Sequence, residues 1–379
     1  MQEALAFFIG SESLLVGTII PFLFVLTVVV FVHEMGHYLV GRWCGIGASA
    51  FSVGFGPELI GFTDKHGTRW KLSAIPLGGY VKFLGDESAT SSPVGVDNSS
   101  LSAEEQSRAF HTQPVWKRAA TVFAGPAFNI ILTVVIFSVF FALYGRQIAD
   151  PLVAGVQPGS PAAEAGFEPG DRFVSVEGEK ITTFSDVQRI VSGRSGDVLD
   201  FTVERNGKMV DLKATPALVE RTDPLGNKVK MGAIGVETTQ AVGNFRRIEY
   251  GPLESVGQAI VETGNIISRT GEFFQRFAVG REDKCQLGGP VKIANMAGKA
   301  ASQGFDWLIQ LTAMLSIGIG LLNLFPLPPL DGGHLVFYAV EAIKGSPVSV
   351  WAQEIFYRVG FLVVMGFMGF VLFNDLFAC

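Results

Sequence analysis

Charged side chains are scarce in this sequence. Aspartate, glutamate, lysine and arginine supply 17% of its 379 residues, whereas hydrophobic residues supply 48%. Because soluble domains usually contain about 25% charged residues, the deficit favours a protein that lies partly in a lipid bilayer. The formal net charge of −6 gives no overall basic character, so we expect no nucleic-acid partner.

Cysteine is also rare. Cys44, Cys285 and Cys379 are far apart and odd in number, which excludes both a disulfide framework and a zinc site built from paired cysteines. Residues 1–13 contain no lysine or arginine. This segment lacks the positively charged start of a secretory signal peptide, and we expect no cleavable signal there.

The sequence does contain long apolar runs. A helix needs about 20 apolar residues to cross a bilayer. Four runs approach or exceed this length, namely residues 14–32, 119–143, 307–325 and 355–373. The first continues through a short polar interruption to Val40. We therefore predict four transmembrane helices.

Lysine and arginine are distributed unevenly over the connections between these runs. Residues 42–118 hold eight of them, the third connection holds Lys344, and residues 1–13 and 374–379 hold none. The positive-inside rule then places the first and third connections in the cytoplasm and both termini outside, which in a bacterium is the periplasm. A stretch rich in serine, glycine and asparagine at residues 88–102 is predicted to be a loop on the cytoplasmic side.

A long polar insert at residues 145–305 separates the second and third runs. Alternating residues at 173–176 and 199–203 predict strands, and the sequence Arg-Asn-Gly-Lys at 205–208 predicts a hairpin turn. Residues 248–276 have helical apolar spacing, and we expect this helix to lie along the membrane surface. The first part of the insert is therefore predicted to be rich in β-structure.

The segment HEMGH at residues 33–37 continues the first apolar run. Positions i and i+4 share one face of a helix, so the two histidines can bind one Zn²⁺ while the intervening Glu34 acts as a general base. Ionisable residues are costly in a bilayer and are functional candidates there by default. We therefore predict a zinc site at His33 and His37, in preference to ordinary polar residues at a helix end.

A catalytic zinc site with two histidines needs a third protein ligand. The segment NLFPLPPLDGGH at residues 323–334 breaks the third helix with three prolines and places Asp331 beside two glycines. Non-helical backbone at membrane depth is tolerated only where protein or a cavity covers it. Asp331 is the favoured third ligand, His334 is the alternative, and a plain helix-ending turn is the reading without a metal.

Together these segments resemble the site-2 protease family of intramembrane zinc metalloproteases, in particular the bacterial regulator of sigma-E protease group. HEMGH matches the zinc helix of that family, and residues 323–331 match its third-ligand segment. Three further matches are GFGP at 54–57, PLGGYV at 76–81 and AGPAFN at 124–129. Within the insert, residues 158–171 resemble a PDZ domain of the bacterial protease type, over about residues 150–236.

The resemblance implies a polytopic α-helical membrane protein with four transmembrane helices and an inserted β-rich PDZ domain. Its parts would be the first two helices with the zinc-binding helix and a cytoplasmic membrane-associated loop (1–144), the PDZ domain (145–237), a periplasmic amphipathic connection (238–305), and the last two helices with the third ligand (306–379). Well-known members of this group carry two tandem PDZ domains, whereas this insert holds one clear copy.

The resemblance also implies roles for individual residues. By its pattern His33, His37 and Asp331 bind one Zn²⁺ per chain, Glu34 is the catalytic base, and Asn323 contacts the backbone of the substrate.

The implied substrates are membrane proteins in the lipid bilayer. A β-like loop between residues 51 and 81 would pair with unwound substrate as an added strand. The substrate would be a single-span protein such as an anti-sigma factor, or a signal-peptide remnant. The implied location is the bacterial inner membrane, with both termini and the PDZ domain in the periplasm.

Two other functions remain open at this point. One is a PDZ-bearing membrane scaffold without proteolytic activity, and the other is a metal transporter. Intact His33, His37 and Asp331 argue against the scaffold, as does Glu34, for which a scaffold has no use. A transporter should carry metal ligands along several spans, whereas the second span offers only Asn129 with serine and threonine.

Overall fold

The computed structural model describes residues 15–85, 102–222, 228–238, 246–279 and 287–378. The chain divides into two compact units, one of Met1–Phe137 with Leu287–Cys379 and the other of Ser138–Gln286. Most of the predicted loop at 88–102 lies outside the described residues, and so do Cys285 and Cys379.

The first unit opens with a long apolar helix and a β-hairpin. Helix α1 (Ile20–Trp43) follows a π-helical turn at Leu15–Ile19. Strands β1 (Ala48–Thr63) and β2 (Arg69–Phe83) pair with each other in antiparallel orientation. The predicted β-like loop between residues 51 and 81 thus corresponds to a two-stranded sheet.

Asp64 and three aromatic rings join the hairpin to α1. The Asp64 carboxylate accepts hydrogen bonds from the Tyr38 hydroxyl at 3.1 Å and from the Trp70 indole N–H at 3.0 Å. The rings of Trp70 and Phe51 stack with centroids 4.5 Å apart, and Tyr38 contacts both at their edges. These contacts hold the hairpin beside the part of α1 that carries HEMGH.

The chain then reaches the second long helix. A short helix α2 (Ala103–Ser107) and a 3-10 turn at Phe110–Thr112 lead to α3 (Val115–Tyr144). Ser102 begins α2 with a capping box, in which its side chain and that of Glu105 each bond the other's backbone amide. Such reciprocal bonds satisfy amides that have no partner within a helix.

The second unit is built mainly of strands. Its elements are β3 (Arg146–Ile148), β4 (Val153–Val156), α4 (Pro161–Glu164), β5 (Arg172–Val176), β6 (Glu179–Lys180), α5 (Phe184–Ser192), β7 (Leu199–Arg205), β8 (Lys208–Ala214), β9 (Ala217–Thr222), β10 (Lys228–Ala233), β11 (Val236–Thr238), β12 (Arg246–Ile248) and α6 (Pro252–Ala278). Among the described residues, one sheet has four strands in the order β6-β5-β7-β8, and three two-stranded sheets pair β9 with β10, β4 with β11, and β3 with β12.

An apolar core and a tight turn explain this arrangement. Sixteen buried residues form one cluster, in which Phe173 of β5 and Phe201 of β7 are each 1% exposed. Strands β7 and β8 meet at the predicted Arg-Asn-Gly-Lys turn, where Asn206 and Gly207 have φ of 51° and 75°. Two residues with positive φ are what a two-residue type I′ hairpin requires, and asparagine with glycine adopts it most readily.

The chain returns to the first unit with four helices. They are α7 (Pro290–Gln303), α8 (Phe305–Asn323), α9 (Asp331–Lys344) and α10 (Val350–Phe373), the last followed by a π-helical turn at Asn374–Ala378. Helix α8 ends two residues before the predicted limit at 325, because Phe325 precedes a proline and that position disfavours helical backbone. Helix α10 begins five residues before the predicted 355, where the Ser349 side chain caps it.

Four helices of the described residues are long and apolar enough to cross a membrane. They lie at the four predicted runs and belong to α1, α3, α8 and α10. Arg358, the single charge within the predicted fourth run, has a largely exposed side chain that lies 3.6 Å from Glu354 one turn earlier.

Candidate active site

Helix α1 places the two histidines of HEMGH side by side. His33 and His37 are one turn apart, and their Nε2 atoms are 3.2 Å from each other. Both residues are buried, with 8% and 9% of their surface exposed. The predicted pairing of two imidazoles on one face of a helix is therefore present in the structure.

Asp331 reaches the same point from the first position of α9. Its Oδ2 lies 3.1 Å from Nε2 of His33 and 3.5 Å from Nε2 of His37. The chain folds tightly just before this helix, because a Cβ at Gly333 would lie only 2.8 Å from the backbone nitrogen of Pro328. The glycines after Asp331 let the proline-rich segment pack against the first turn of α9.

The three facing atoms form a triangle that fits zinc. Ligand atoms about 2.0–2.1 Å from a tetrahedral ion lie about 3.3–3.4 Å from one another, and the edges here are 3.1, 3.2 and 3.5 Å. Two imidazole nitrogens with one carboxylate oxygen are a donor set found at catalytic zinc sites.

The surroundings of the triangle also suit a cation. Oδ2 of Asp331 is buried and accepts no hydrogen bond within the described structure, which is costly for a carboxylate oxygen unless a cation faces it. Among the described residues, His33, His37 and Asp331 form the one group of three or more potential metal ligands whose atoms converge, all within 4.8 Å.

A hydrogen bond on its far side sets the tautomer of His37. Its Nδ1 lies 2.9 Å from the carbonyl oxygen of Thr121 on α3. Because a carbonyl can only accept, Nδ1 carries the proton of the neutral ring, and Nε2 presents a lone pair to the triangle. Partners of this kind orient metal-binding histidines in proteins.

Helix α3 leaves space beside the triangle at Gly125. A Cβ at this position would overlap Nε2 of His37 and would lie 2.8 Å from Nε2 of His33. Any larger side chain would therefore occupy the volume next to both nitrogens. Gly125 belongs to the AGPAFN segment, which sequence analysis matched by resemblance but to which it gave no role.

Glu34 belongs to α1, and its side chain faces strand β2 of the hairpin. The backbone amide of Val81 in β2 hydrogen-bonds its carboxylate, and a Cβ at Gly79 would lie 3.0 Å from its Cγ. Strand β2 thus approaches α1 closely at the PLGGYV segment. Glu34 is not one of the three converging residues, so its carboxylate is available for a role other than metal binding.

The other two predicted residues lie on either side of the proline-rich segment. Asn323 is the last residue of α8 and is partly buried. His334, the alternative third ligand, is buried, and the Tyr357 hydroxyl lies 3.0 Å from its Nε2 and 3.1 Å from its Nδ1. The converging group contains Asp331 and not His334, so the geometry favours Asp331.

An ion pair fixes the helix that carries Asp331. The Arg118 guanidinium at the start of α3 binds the Glu341 carboxylate of α9 through two contacts, at 2.6 and 3.2 Å. The Arg118 guanidinium also lies over the ring of Tyr338, 5.1 Å from its centroid. The sequence carries no signal for this pair, because the two residues are 223 positions apart and neither lies in a motif.

Known proteins resemble the chain over most of its length. The model of peptidase family M50 matches residues 21–367. The relatives named "Putative zinc metalloprotease" include two that match this chain over nearly all of its length. One, from Brucella suis biovar 1, is 89% identical over 100% of both chains, and the other, from Mesorhizobium japonicum, is 66% identical over 96% of this chain and 99% of its own.

Among the solved structures that are similar, a PDZ domain matches a smaller part of the chain. The PDZ domain of an SdrC-like protein from Listeria monocytogenes is 16% identical and covers 24% of this chain and 88% of that domain, with a TM-score of 0.20. This likeness is too limited to establish the fold of the insert.

The family match extends over both segments that supply the converging histidines and aspartate. The zinc chemistry predicted from HEMGH agrees with the names of the relatives, and the four apolar helices agree with an integral membrane protein. The chain belongs to peptidase family M50, the site-2 proteases, and is a zinc metalloprotease.

Proposed function

We propose that this zinc metalloprotease hydrolyses peptide bonds within or next to the transmembrane segments of other membrane proteins. The observation that carries the proposal is the position of the triangle: His33 and His37 lie on one of the four apolar helices, and Asp331 follows another by eight residues. These three residues would hold one Zn²⁺ per chain.

The catalytic step needs a base beside the ion. Zinc held by His33, His37 and Asp331 would supply Lewis-acid chemistry for the scissile carbonyl and for water. Glu34 accepts a proton from the water whose oxygen attacks the scissile carbonyl carbon, and it gives that proton to the nitrogen of the leaving amine as the C–N bond breaks. The amide of Val81 holds that carboxylate at the site, so the hairpin contributes to the orientation of the base.

The substrate chain must be extended before it can react, because the amides of a helix are closed in internal hydrogen bonds. Strands β1 and β2 form a two-stranded sheet, and a sheet edge can accept an extended chain as an added strand. The hairpin also carries exposed apolar side chains, among them Leu59, Ile60 and Phe62, which suit a membrane environment. Asn323 contacts the substrate backbone from the end of α8.

The protein lies in the bacterial inner membrane with both termini and the insert in the periplasm. The eight basic residues of 42–118 support this orientation. Its substrates are single-span proteins such as an anti-sigma factor, or the remnants of signal peptides. Helix α6 carries exposed apolar side chains, including Leu253, Ile260 and Val261, and lies along the membrane surface.

The insert acts as a PDZ domain that restricts which substrates reach the site. A folded domain outside the membrane excludes proteins with bulky external parts, which would explain a requirement for prior trimming. An alternative is activation by a peptide. A cavity of about 940 Å³ lies between α5, residues 231–237 and the face of α6 that carries Glu262 and Arg269, and such a space can hold an extended chain.

Deletion of residues 150–236 separates these two roles. Under exclusion, the shortened enzyme still cuts short substrates and begins to cut long ones. Under peptide activation, it loses activity on both. Loss of all cleavage by a stable, zinc-loaded deletion variant contradicts exclusion.

The proposal is tested with purified protein and a single-span test substrate. We expect one zinc per chain in the wild type, loss of zinc and of cleavage in His33→Ala and Asp331→Ala, and loss of cleavage with retained zinc in Glu34→Gln. The last variant is the matched control, because it changes the adjacent residue without removing a ligand. Full zinc content in Asp331→Ala would refute the third-ligand assignment and favour His334, and undiminished cleavage by Glu34→Gln would refute its role as base.

A further inference from the structure

Asn129 is a fully buried amide in the apolar helix α3, with 0% of its surface exposed. Its Nδ2 lies 3.2 Å from Nδ1 of His33, on the side of that ring opposite the triangle. Its Oδ1 is buried as well and has no hydrogen-bond partner within the described residues. A buried amide oxygen without a partner is costly, so its presence here calls for a function.

The backbone of Asn129 is fixed between helices. The Ser316 hydroxyl of α8 donates a hydrogen bond to the Asn129 carbonyl at 2.9 Å. The Thr133 hydroxyl, one turn along α3, lies 2.9 Å from the carbonyl of Ala313 on α8. A Cβ at Gly320 would lie 3.1 Å from Cβ of Asn129. The side chain of Asn129 is therefore held at a defined distance from His33.

The two orientations of this amide have opposite consequences for His33. With Nδ2 toward the ring, Nδ1 must accept, and the proton of the neutral imidazole then sits on Nε2, where it blocks metal binding. With Oδ1 toward the ring, Nδ1–H donates to the amide and Nε2 offers its lone pair to the triangle. A rotation of 180° about the Cβ–Cγ bond interchanges the two, since the amide oxygen and nitrogen have nearly the same shape.

We propose that Asn129 is a positioning residue of the metal site, and that its Oδ1 accepts a hydrogen bond from Nδ1–H of His33 when zinc is bound. The inference rests on the proposed assignment of His33 as a zinc ligand. It makes the two histidines equivalent: Thr121 fixes the proton of His37 on Nδ1 through a backbone carbonyl, and Asn129 does the same for His33 through a side-chain carbonyl. Outer partners of this kind raise metal affinity by about 10–100-fold.

The test compares variants of the full-length protein in detergent by their zinc affinity, measured by competition with a chelator. Asn129→Leu keeps the approximate shape and removes the acceptor, and we expect zinc affinity to fall about 10–100-fold. Asn129→Asp keeps an acceptor and removes the donor, and we expect affinity equal to or above that of the wild type. Thr312→Val is the control, since it removes a buried hydroxyl of α8 that bonds the carbonyl of Leu308 one turn earlier in the same helix, and its affinity should be unchanged.

A second readout separates positioning from folding. Co²⁺ bound in place of zinc reports ligand geometry through its visible absorption, which should change in Asn129→Leu and persist in Asn129→Asp. If Asn129→Leu does not fold, Asn129→Ala makes the same comparison with a smaller side chain.

Two results overturn the inference. One is an Asn129→Asp affinity as low as that of Asn129→Leu, which would show that the amide acts as a donor. The other is wild-type affinity in Asn129→Leu. His33→Ala is measured alongside: if it loses zinc while Asn129→Leu does not, the inference alone is wrong, and if it retains zinc, the proposed metal site itself is wrong.

Discussion

The two units of the chain bury different kinds of side chain. In Ser138–Gln286 the interior is a cluster of sixteen apolar residues. In the unit that contains the four apolar helices, only 11–39% of the most apolar stretch of each helix is buried. Several residues that are buried there are polar, among them His33, His37, Thr121, Asn129, Thr133, Thr312 and Ser316.

The difference follows from the solvent of each unit. Water drives apolar side chains together in the insert, at about 25 cal/mol per Å² of buried apolar surface. Lipid tails are as apolar as the side chains of these helices, so burial of apolar side chains does not drive the helices together. Helices in a bilayer instead associate through small residues and interhelical hydrogen bonds. The hydrogen bond from Ser316 to the Asn129 carbonyl joins α8 to α3. Gly125 is a small residue that lets α3 lie close to the two histidines of α1.

The comparison therefore predicts that stability and zinc binding can be damaged separately. Substitutions inside the insert should change stability and leave zinc content intact. Substitutions at the small and polar positions beside the two histidines, such as Gly125 and Asn129, should change zinc binding and activity, even where the size of the change is one methyl group.

The largest effect is expected from Gly125→Ala. The added Cβ would overlap Nε2 of His37, so zinc binding and cleavage should both be lost. Alanine also favours helix by about 1 kcal/mol over glycine, so general destabilisation of α3 is not expected. Metal analysis of the purified variant and the cleavage assay measure the two losses.

Gly318→Ala is the control for that substitution. It lies in the apolar helix α8, where a Cβ would meet nothing within 4 Å, and we expect normal zinc content and activity. Equal zinc content in Gly125→Ala and Gly318→Ala would mean that the space beside the histidines is not needed for the ion.

The next effect is expected in the insert. Phe173 is 1% exposed in the core of the second unit, and Phe173→Ala should destabilise that unit by about 3–5 kcal/mol. Limited proteolysis of the full-length protein should show earlier cleavage within residues 138–286, while the zinc content stays at one per chain. Parallel loss of zinc would mean that the two units do not respond independently, which would break the comparison.

A somewhat smaller effect is expected at the ion pair between α3 and α9. The Arg118 and Glu341 side chains are 11% and 14% exposed, so Arg118→Met leaves a mostly buried carboxylate without its partner. The free energy of unfolding should fall by about 3 kcal/mol. This value is at the lower end of the range for buried pairs, because both side chains remain partly exposed. Thermal unfolding in detergent measures it, and zinc affinity should fall too, since α9 carries Asp331.

The double variant Arg118→Met with Glu341→Leu removes both charges. It should recover most of the lost stability, because a buried pair replaced by apolar groups is often close to neutral. If the double variant is as unstable as Arg118→Met alone, the loss comes from packing and not from the unpaired carboxylate.

The sequence was most informative where chemistry depends on local spacing. HEMGH predicted the contact of His33 with His37, since four residues along a helix bring two side chains to one face. The prolines and glycines around Asp331 predicted a break in the helix, and the Asp331 carboxylate converges there with the two histidines. The Asn-Gly pair at 206–207 predicted the β7–β8 turn through its backbone preference.

Contacts between distant segments were not predictable in this way. The importance of Gly125 depends on how closely α3 approaches α1, and that of Asn129 depends on the same approach. The AGPAFN segment identified both residues only by resemblance, without a reason for either. The pairing of Arg118 with Glu341 carries no local signal. Other basic residues near the start of α3, such as Lys117, could equally be expected to pair with Glu341 from the sequence alone.

The smallest effect concerns Asp64, which joins the hairpin to α1. Burial acts to raise the pKa of Asp64, but hydrogen bonds from the Trp70 indole, the amides of His66 and Thr68 and the Tyr38 hydroxyl outweigh it and lower the pKa to about 2. The ordinary value is 3.8. Because the folded pKa lies below the unfolded one, the carboxylate stabilises the protein above about pH 4, and this contribution is lost as the pH falls toward 2.

Asp64→Asn should therefore be less stable than the wild type near neutral pH, by on the order of 1 kcal/mol after solvent screening, and the difference should shrink as the pH falls through 2 and vanish below it. Thermal unfolding in detergent at several pH values measures the stability difference near neutral pH and its loss in acid. Trp70→Phe keeps an aromatic ring and removes one donor, so it should show part of the same pH dependence. A difference between wild type and Asp64→Asn that does not change with pH would show that the carboxylate acts through its shape. A variant of the insert, such as Phe173→Ala, serves as the control. If its stability difference from the wild type changes with pH in the same way, Asp64 is not the cause of the pH dependence.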